Sequence, residues 1–245
     1  MTSTLFTPIR SPLSCRSEAY SFFCEQLPNL NSTRKLLRAA IAVSMHALDD
    51  VDASRVEQRL EVLSLRVRER APSRSIRALQ ANLHAVLFDE EGFQGDMERY
   101  YSALNSYLPA VLNTRRGLPV ALSLIYKVVG EWAGLRVEGV NAPGHFMVRV
   151  RYENSWMIVD PFFGGQVLHR EEAFDRIDRV ASQQLPRQNQ LLAMPTHAQW
   201  LARLIGNLRQ LFTTEERHED LAAMNEFLDA LNASQQLPQR KQAAG

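Results

Sequence analysis

His145 and Asp160 are the two residues in this 245-residue chain whose types and setting most readily support acid–base chemistry. They lie in two runs of alternating polarity, HFMVRVRY and SWMIVDP, separated by Glu153 and Asn154. In the first run Phe146, Val148, Val150 and Tyr152 share one face, and His145, Met147, Arg149 and Arg151 the other. In the second, Trp156, Ile158 and Asp160 alternate with Ser155, Met157 and Val159. A two-residue turn at Glu153-Asn154 would set Tyr152 against Ser155 and Met147 against Asp160. His145 then becomes the diagonal neighbour of Asp160 on the same face, at a Cα separation of roughly 7–8 Å, within reach of a hydrogen bond. One more residue in the turn would put the two on opposite faces. A histidine oriented by a carboxylate is the base half of a nucleophilic triad. Its third member gains most at a helix start, where the macrodipole lowers the pKa of a thiol.

A helix able to present such a group is expected from Leu118 to Trp132. Leu118, Ala121, Leu122, Leu124, Ile125, Val128, Val129 and Trp132 cover most of its circumference, so it should be buried. Pro119 suits the first turn, where a missing N–H costs nothing. Gly134 supplies a stop.

Around this centre the periodicity is helical. Ser32 caps a segment in which Leu36, Leu37, Ala40, Ile41, Ser44 and Met45 share a face. Val56, Leu60, Leu63 and Val67 mark a second, and Ile76, Leu79, Leu83 and Leu87 a third after Ser75, giving three or four packed helices between Ser17 and Leu87. Gly92 and Gly95 punctuate a loop. Helical spacing returns from Arg170, followed by a polar, Gln-rich connector over Ser182 to Gln190. Leu201, Leu204, Ile205, Leu208 and Phe212 then line one helix and Leu221, Met224, Leu228 and Leu231 another, which reads as an antiparallel hairpin. The polar tail beyond Ser234 is expected to fray.

With 28 basic and 27 acidic residues, the net charge of +1 gives no electrostatic reason for a nucleic-acid or membrane partner. The run Arg66, Arg68, Arg70, Arg74 and Arg77 is interspersed with Glu61 and Glu69 and reads as a solvated helix face, the alternative being an anionic partner. Cys15 and Cys24 show no CxxC or metal-ligand spacing, so no metal site and no cofactor are expected. Two free thiols, no export signal over Met1 to Leu13 and no long apolar run lead to a soluble cytoplasmic protein.

The segment RRGLPVALSLIYKVVGEWAGLRVEGVNAPGHFMVRV, with VDPFFGG after it, resembles the SirB-type branch of the transglutaminase-like superfamily. The matching motifs are Arg116 to Pro119 at the helix start, Gly139 to Phe146 leading into the strand, and Asp160 to Gly165 at the turn. LFDEEGFQGD and NSYL upstream are similar too, with Asp96 where that branch is expected to carry Asn. The similarity covers roughly Ile76 to Glu172, and the C-terminal hairpin resembles the tetratricopeptide-like tail of such proteins. The resemblance implies an α+β protein: a helical N-terminal half, a transglutaminase-like (papain-like) core of a buried helix on a small antiparallel sheet, and a C-terminal helical hairpin. The expected divisions are 1–90, 91–180 and 191–235, packed as one globular unit.

Active members of the superfamily begin the central helix with Gly-x-Cys. With Gly117 and Gly134 in register, the cysteine position here falls on Pro119, which carries no nucleophile. Ser123, one turn on, could face the same side but sits deeper. Cys15 and Cys24 lie in another helix. Three roles remain for His145 and Asp160: a satisfied buried pair, a retained ligand- or partner-binding site, or a working centre with a relocated nucleophile or activated water. Arg149, and Arg115 or Arg116 at the helix start, could recognise a carboxylate or phosphate, or pair with Glu138 or Asp160. Asn105 and Tyr107 flank the cleft in the family pattern but could equally cap and pack. The leading expectation is a non-catalytic protein- or ligand-binding module whose partner is an unknown protein or a small anionic ligand. The alternative is an amide hydrolase or acyltransferase.

Overall fold

The computed structural model describes residues 11–28 and 30–242, with side chains through 236. Most of the Met1 to Leu13 stretch therefore lies outside the described residues. Four helices open the fold: α1 (Ser17–Gln26), α2 (Thr33–Ala47), α3 (Ala53–Arg70) and α4 (Ile76–His84). Ser32 caps α2 by accepting from the Lys35 N–H at 3.2 Å, and Ser75 caps α4 by accepting from Ala78 N–H at 3.2 Å. Helix α2 is buried on more than the expected stripe, for Ala39, Ala42 and Val43 are covered as well. The reason is that α1, α5 (Leu108–Thr114), α6 (Pro119–Ala133), α8 (His197–Thr214) and α9 (His218–Gln242) all pack around it.

Between α4 and α6 the chain widens into a π turn over Ala85–Glu90. Two-residue strands β1 (Gln94–Gly95) and β2 (Arg116–Gly117) then pair in parallel and bracket α5. Every residue of α6 from Pro119 to Gly130 is buried, as expected for a helix apolar on all sides. Its one buried lysine, Lys127, reaches Glu131 Oε1 at 2.5 Å and the Val137 carbonyl at 2.6 Å, so the charge is not left unpaired. Gly134 ends the helix at φ 112°.

A four-stranded antiparallel sheet follows in the order β3 (Val137–Ala142), β4 (His145–Tyr152), β5 (Ser155–Asp160) and β6 (Gln166–Leu168). Strands β3 and β6 carry weak alternation, and the sequence reading did not single them out. Phe146, Val148, Val150 and Val159 join the main core on the α6 side of the sheet, which runs continuously from Cys15 to Leu231. The opposite side builds a smaller cluster: Val140, Met147 and Leu168 against Ala173, Phe174 and Ile177 of α7 (Arg170–Ala181). Helices α8 and α9, joined over Glu215 to Arg217, form the expected hairpin. Met224 and Leu231 face its core together with Phe227 and Ala223. The tail is helical through Gln242, past the Ser234 boundary at which fraying was expected.

Candidate functional site

Strands β4 and β5 pair with Tyr152 opposite Ser155, Arg149 opposite Ile158 and Val148 opposite Val159. This is the register of a two-residue turn, with Glu153 at φ 47°. It brings His145 and Asp160 to one face of the sheet, where His145 Nε2 lies 2.9 Å from Asp160 Oδ2. Both are sealed from solvent, at 2% and 0% exposure.

The backbone after Asp160 explains how the carboxylate is aimed. Its Oδ1 accepts from the Phe162 N–H at 3.2 Å and so caps a short 3-10 turn over Pro161–Phe163. The Gly165 N–H returns to the Asp160 carbonyl at 2.9 Å. Gly165 holds φ 76°, and a Cβ there would meet the Phe88 ring at 2.1 Å, so only glycine fits the turn.

A third residue completes the arrangement. Arg176 of α7 donates from Nη1 to Asp160 Oδ2 at 2.8 Å and from Nη2 to Gln166 Oε1 at 2.6 Å. Its guanidinium carbon stands 3.8 Å from the centroid of the Phe163 ring. Burial lowers the Arg176 pKa from its ordinary value, and the adjacent Asp160 charge opposes the shift. The sequence reading missed Arg176. Its signal was a charge set between Ala173 and Ile177, on the apolar face of an otherwise amphipathic helix.

The His145 ring is flanked by Phe162, edge-on at 6.0 Å between centroids, and Phe163, tilted at 6.0 Å. Because Nε2 is directed at a carboxylate, it carries a hydrogen, and in the neutral ring Nδ1 presents the lone pair. That nitrogen makes no hydrogen bond to the described residues. Such an imidazole can act as a base or accept a ligand's donor.

The other half of a triad is absent at the start of α6. Pro119 is its first residue, and the surrounding groups bond to one another. The Leu118 N–H donates to the Asn105 carbonyl at 2.8 Å, and Trp200 Nε1 donates to the Val120 carbonyl at 3.3 Å. Ser123 Oγ, fully buried, donates to the Phe146 carbonyl at 3.3 Å on the opposite face of β4 from His145. Cys15 Sγ lies 3.1 Å from the Ala223 carbonyl, and burial pushes its thiol pKa up. Burial raises Cys24 too. A thiol shifted upward is the reverse of an activated one.

The candidate ligand groups are engaged within the fold, except Tyr107, whose buried hydroxyl has no hydrogen-bond partner among the described residues. Asn105 donates from Nδ2 to the Arg99 carbonyl at 2.6 Å and closes the loop between β1 and α5. Tyr107 is buried behind it. Arg116 donates to the Gly92 carbonyl at 3.0 Å, and Arg115 pairs with Glu91. Arg149 pairs with Glu138 at 2.8 Å and stacks on Trp156 at 4.5 Å, well along the strand from His145. Asp96 caps its own loop through the Arg99 N–H at 2.8 Å, and that bond holds its carboxyl below the usual range. Within the Arg66–Arg77 run, Arg66 and Arg70 pair with Glu90, and Arg77 donates to the Tyr152 hydroxyl at 2.8 Å. No group of metal-ligand type converges among the described residues. No described helix is long and apolar enough to cross a membrane.

Comparison with known proteins supplies the wider setting. A family model described as transglutaminase-like superfamily matches residues 54–206. A UPF0162 protein of Xylella fastidiosa is 28% identical over 196 residues, covering 78% of this chain and 70% of that protein. A UPF0162 protein of Pseudomonas aeruginosa is 29% identical over 137 residues, 56% of this chain and 49% of that protein. F-box only protein 21 of Homo sapiens is 40% identical over 67 residues, 27% of this chain and 11% of that protein. No solved structure matches the chain.

Proposed function

The chain belongs to the transglutaminase-like superfamily, and we propose that it is a non-catalytic member of its SirB-type branch that works in the cytoplasm as a protein- or ligand-binding module. The observation that carries this reading is the mismatch between the two halves of the triad. Asp160 still aims His145, while Pro119 starts α6 and no thiol or hydroxyl among the described residues bonds to the ring. The carboxylate that would orient a base is also bonded to Arg176, so the pair is built into the packing of α7. The helical hairpin of α8 and α9 fits the tetratricopeptide-like tail of this branch and offers a partner surface. Buried, unpaired Cys15 and Cys24 suit a reducing compartment.

The lone pair on His145 Nδ1 supports a second reading, an amide hydrolase or acyltransferase that activates water or the substrate's own nucleophile. A turnover assay on activated esters and amides separates the two. The binding-module reading expects wild type and His145→Ala to give the same background rate. A rate that falls at least about tenfold with His145→Ala would favour the enzyme.

A further inference from the structure

The sheet face that bears His145 and Asp160 is only partly covered. Helix α7 closes it over Met147 and Val140, with Phe174 and Ile177 as the lid. Farther along the strands the face opens into a groove of about 470 Å³, whose lining includes Arg149, Trp156, Ile158, Leu168, Arg170 and Leu192. Neither His145 nor Asp160 lines it. Its volume is within the range of roughly 300–1,000 Å³ that holds small organic ligands.

Two kinds of group meet there. Ile158, Leu168 and Leu192 offer an apolar floor and wall beside the indole of Trp156. Three guanidinium groups crowd that indole, Arg136 at 5.6 Å, Arg149 at 4.5 Å and Arg151 at 5.3 Å from its centroid. Arg170 stands across the groove with its side chain half exposed, held by Asn189 Oδ1 at 2.5 Å. Nearby, Arg77 lies over the Tyr152 ring. The carboxylates set against these five arginines are Glu138, paired with Arg136 and Arg149, Glu171, beside Arg170, Glu172, on the backbone of the groove-lining His169, and Glu153 in the adjoining turn. A chain with a net charge of +1 thus concentrates positive charge around one apolar groove.

We propose that this groove binds a small organic acid with a flat, apolar body, its anionic group placed between Arg149 and Arg170 and its body against Trp156, Ile158 and Leu168. Arg149 uses Nε and Nη2 on Glu138, which leaves Nη1 for a ligand oxygen. Arg170 is already positioned by Asn189, so it loses little freedom on binding. The site deepens the binding-module reading by naming a ligand class, yet it uses neither the His145 ring nor any nucleophile, so the two can fail separately.

The test titrates the full chain with 2-naphthoate and with the neutral 2-naphthylmethanol, following the indole N–H signal of Trp156, identified by its loss in Trp156→Phe. Naphthoate should shift that signal saturably and bind at least about tenfold tighter than the alcohol, a difference of about 1.4 kcal/mol. Added salt should weaken the acid and leave the alcohol unchanged. Arg170→Gln, a change at a half-exposed side chain, should cost about tenfold for naphthoate alone. Equal affinity for the two compounds, no saturable shift, or unchanged binding in Arg170→Gln would overturn the proposal. Displacement of naphthoate by a short oligothymidylate at lower concentration would also overturn it, in favour of a nucleic-acid surface.

Discussion

Under the proposed reading, the start of α6 and the start of β4 are the two places a transglutaminase-like triad would join, and this chain treats them differently. At β4 a polar chain is kept, His145 on Asp160, Asp160 on Arg176 and Arg176 on Gln166, with Arg176 Nε left without a partner among the described residues. At α6 the space is filled by packing. Pro119 has no reactive group, Gly117 lies so close to Val111 that a Cβ would meet it at 2.9 Å, and Trp200 closes over Val120. The polar network at β4 has a role in the fold itself. Asp160 caps a turn, and Arg176 ties α7 to the sheet.

The largest effect should come from that tie. Arg176→Met leaves the Asp160 carboxylate buried with fewer donors, and breaking a buried pair this way costs about 3–5 kcal/mol. Urea unfolding of the variant would check it. A loss below about 1 kcal/mol would mean the pair is not held by the fold, and the contrast with α6 would weaken.

Acid should act through the α6 side. His84 Nε2 lies 2.9 Å from the Tyr126 hydroxyl of α6, and burial lowers its pKa from 6.5 to about 4, with Asp89 opposing. A depressed histidine binds its proton more weakly folded than unfolded. Its contribution is therefore fully present above pH 6.5 and is lost as pH falls toward about 4, to a limit of about 3 kcal/mol. Unfolding curves across that window should flatten in part in His84→Gln, the remaining slope belonging to His46 and His197, whose pKa values burial lowers as well. If instead His145→Ala removed the acid loss and His84→Gln did not, the assignment of pH sensitivity to the α6 side would be wrong.

Smaller effects sharpen the contrast. Gly117→Ala should cost about 1–3 kcal/mol by overpacking the α6 start against Val111, read from the denaturation midpoint. A neutral result would imply room at that start which the packing does not provide. His145→Ala should cost about 1–3 kcal/mol, since Asp160 keeps Arg176 and the Phe162 N–H. In a Pro119→Cys background, removing His145 should leave the alkylation rate of the new thiol unchanged. A marked slowing would show that the base still faces α6.

The histidine and aspartate were legible in the sequence because strand pairing has a period of two. Once Tyr152 opposes Ser155, the faces of His145 and Asp160 follow. The burial of α6 was legible because apolar residues cover its whole circumference. Arg176 was not, since an arginine within a helix is placed only by what the helix packs on. Strands β3 and β6 were hidden for a similar reason: Gly139 and Asn141 interrupt the alternation of one, and the other has three residues. The candidate ligand group Arg149 was correctly set on the His145 face, but its distance along the strand and its pairing with Glu138 emerge only in three dimensions.

The central claim, that the surviving pair no longer serves acyl chemistry, meets its most direct test in intact-mass spectrometry of the full chain after exposure to an activated acyl donor such as p-nitrophenyl acetate. Wild type and His145→Ala should carry the same slow, surface acetylation and no further adduct. An additional acyl group on any residue of the wild type, His145 included, that vanishes in His145→Ala would contradict the proposal.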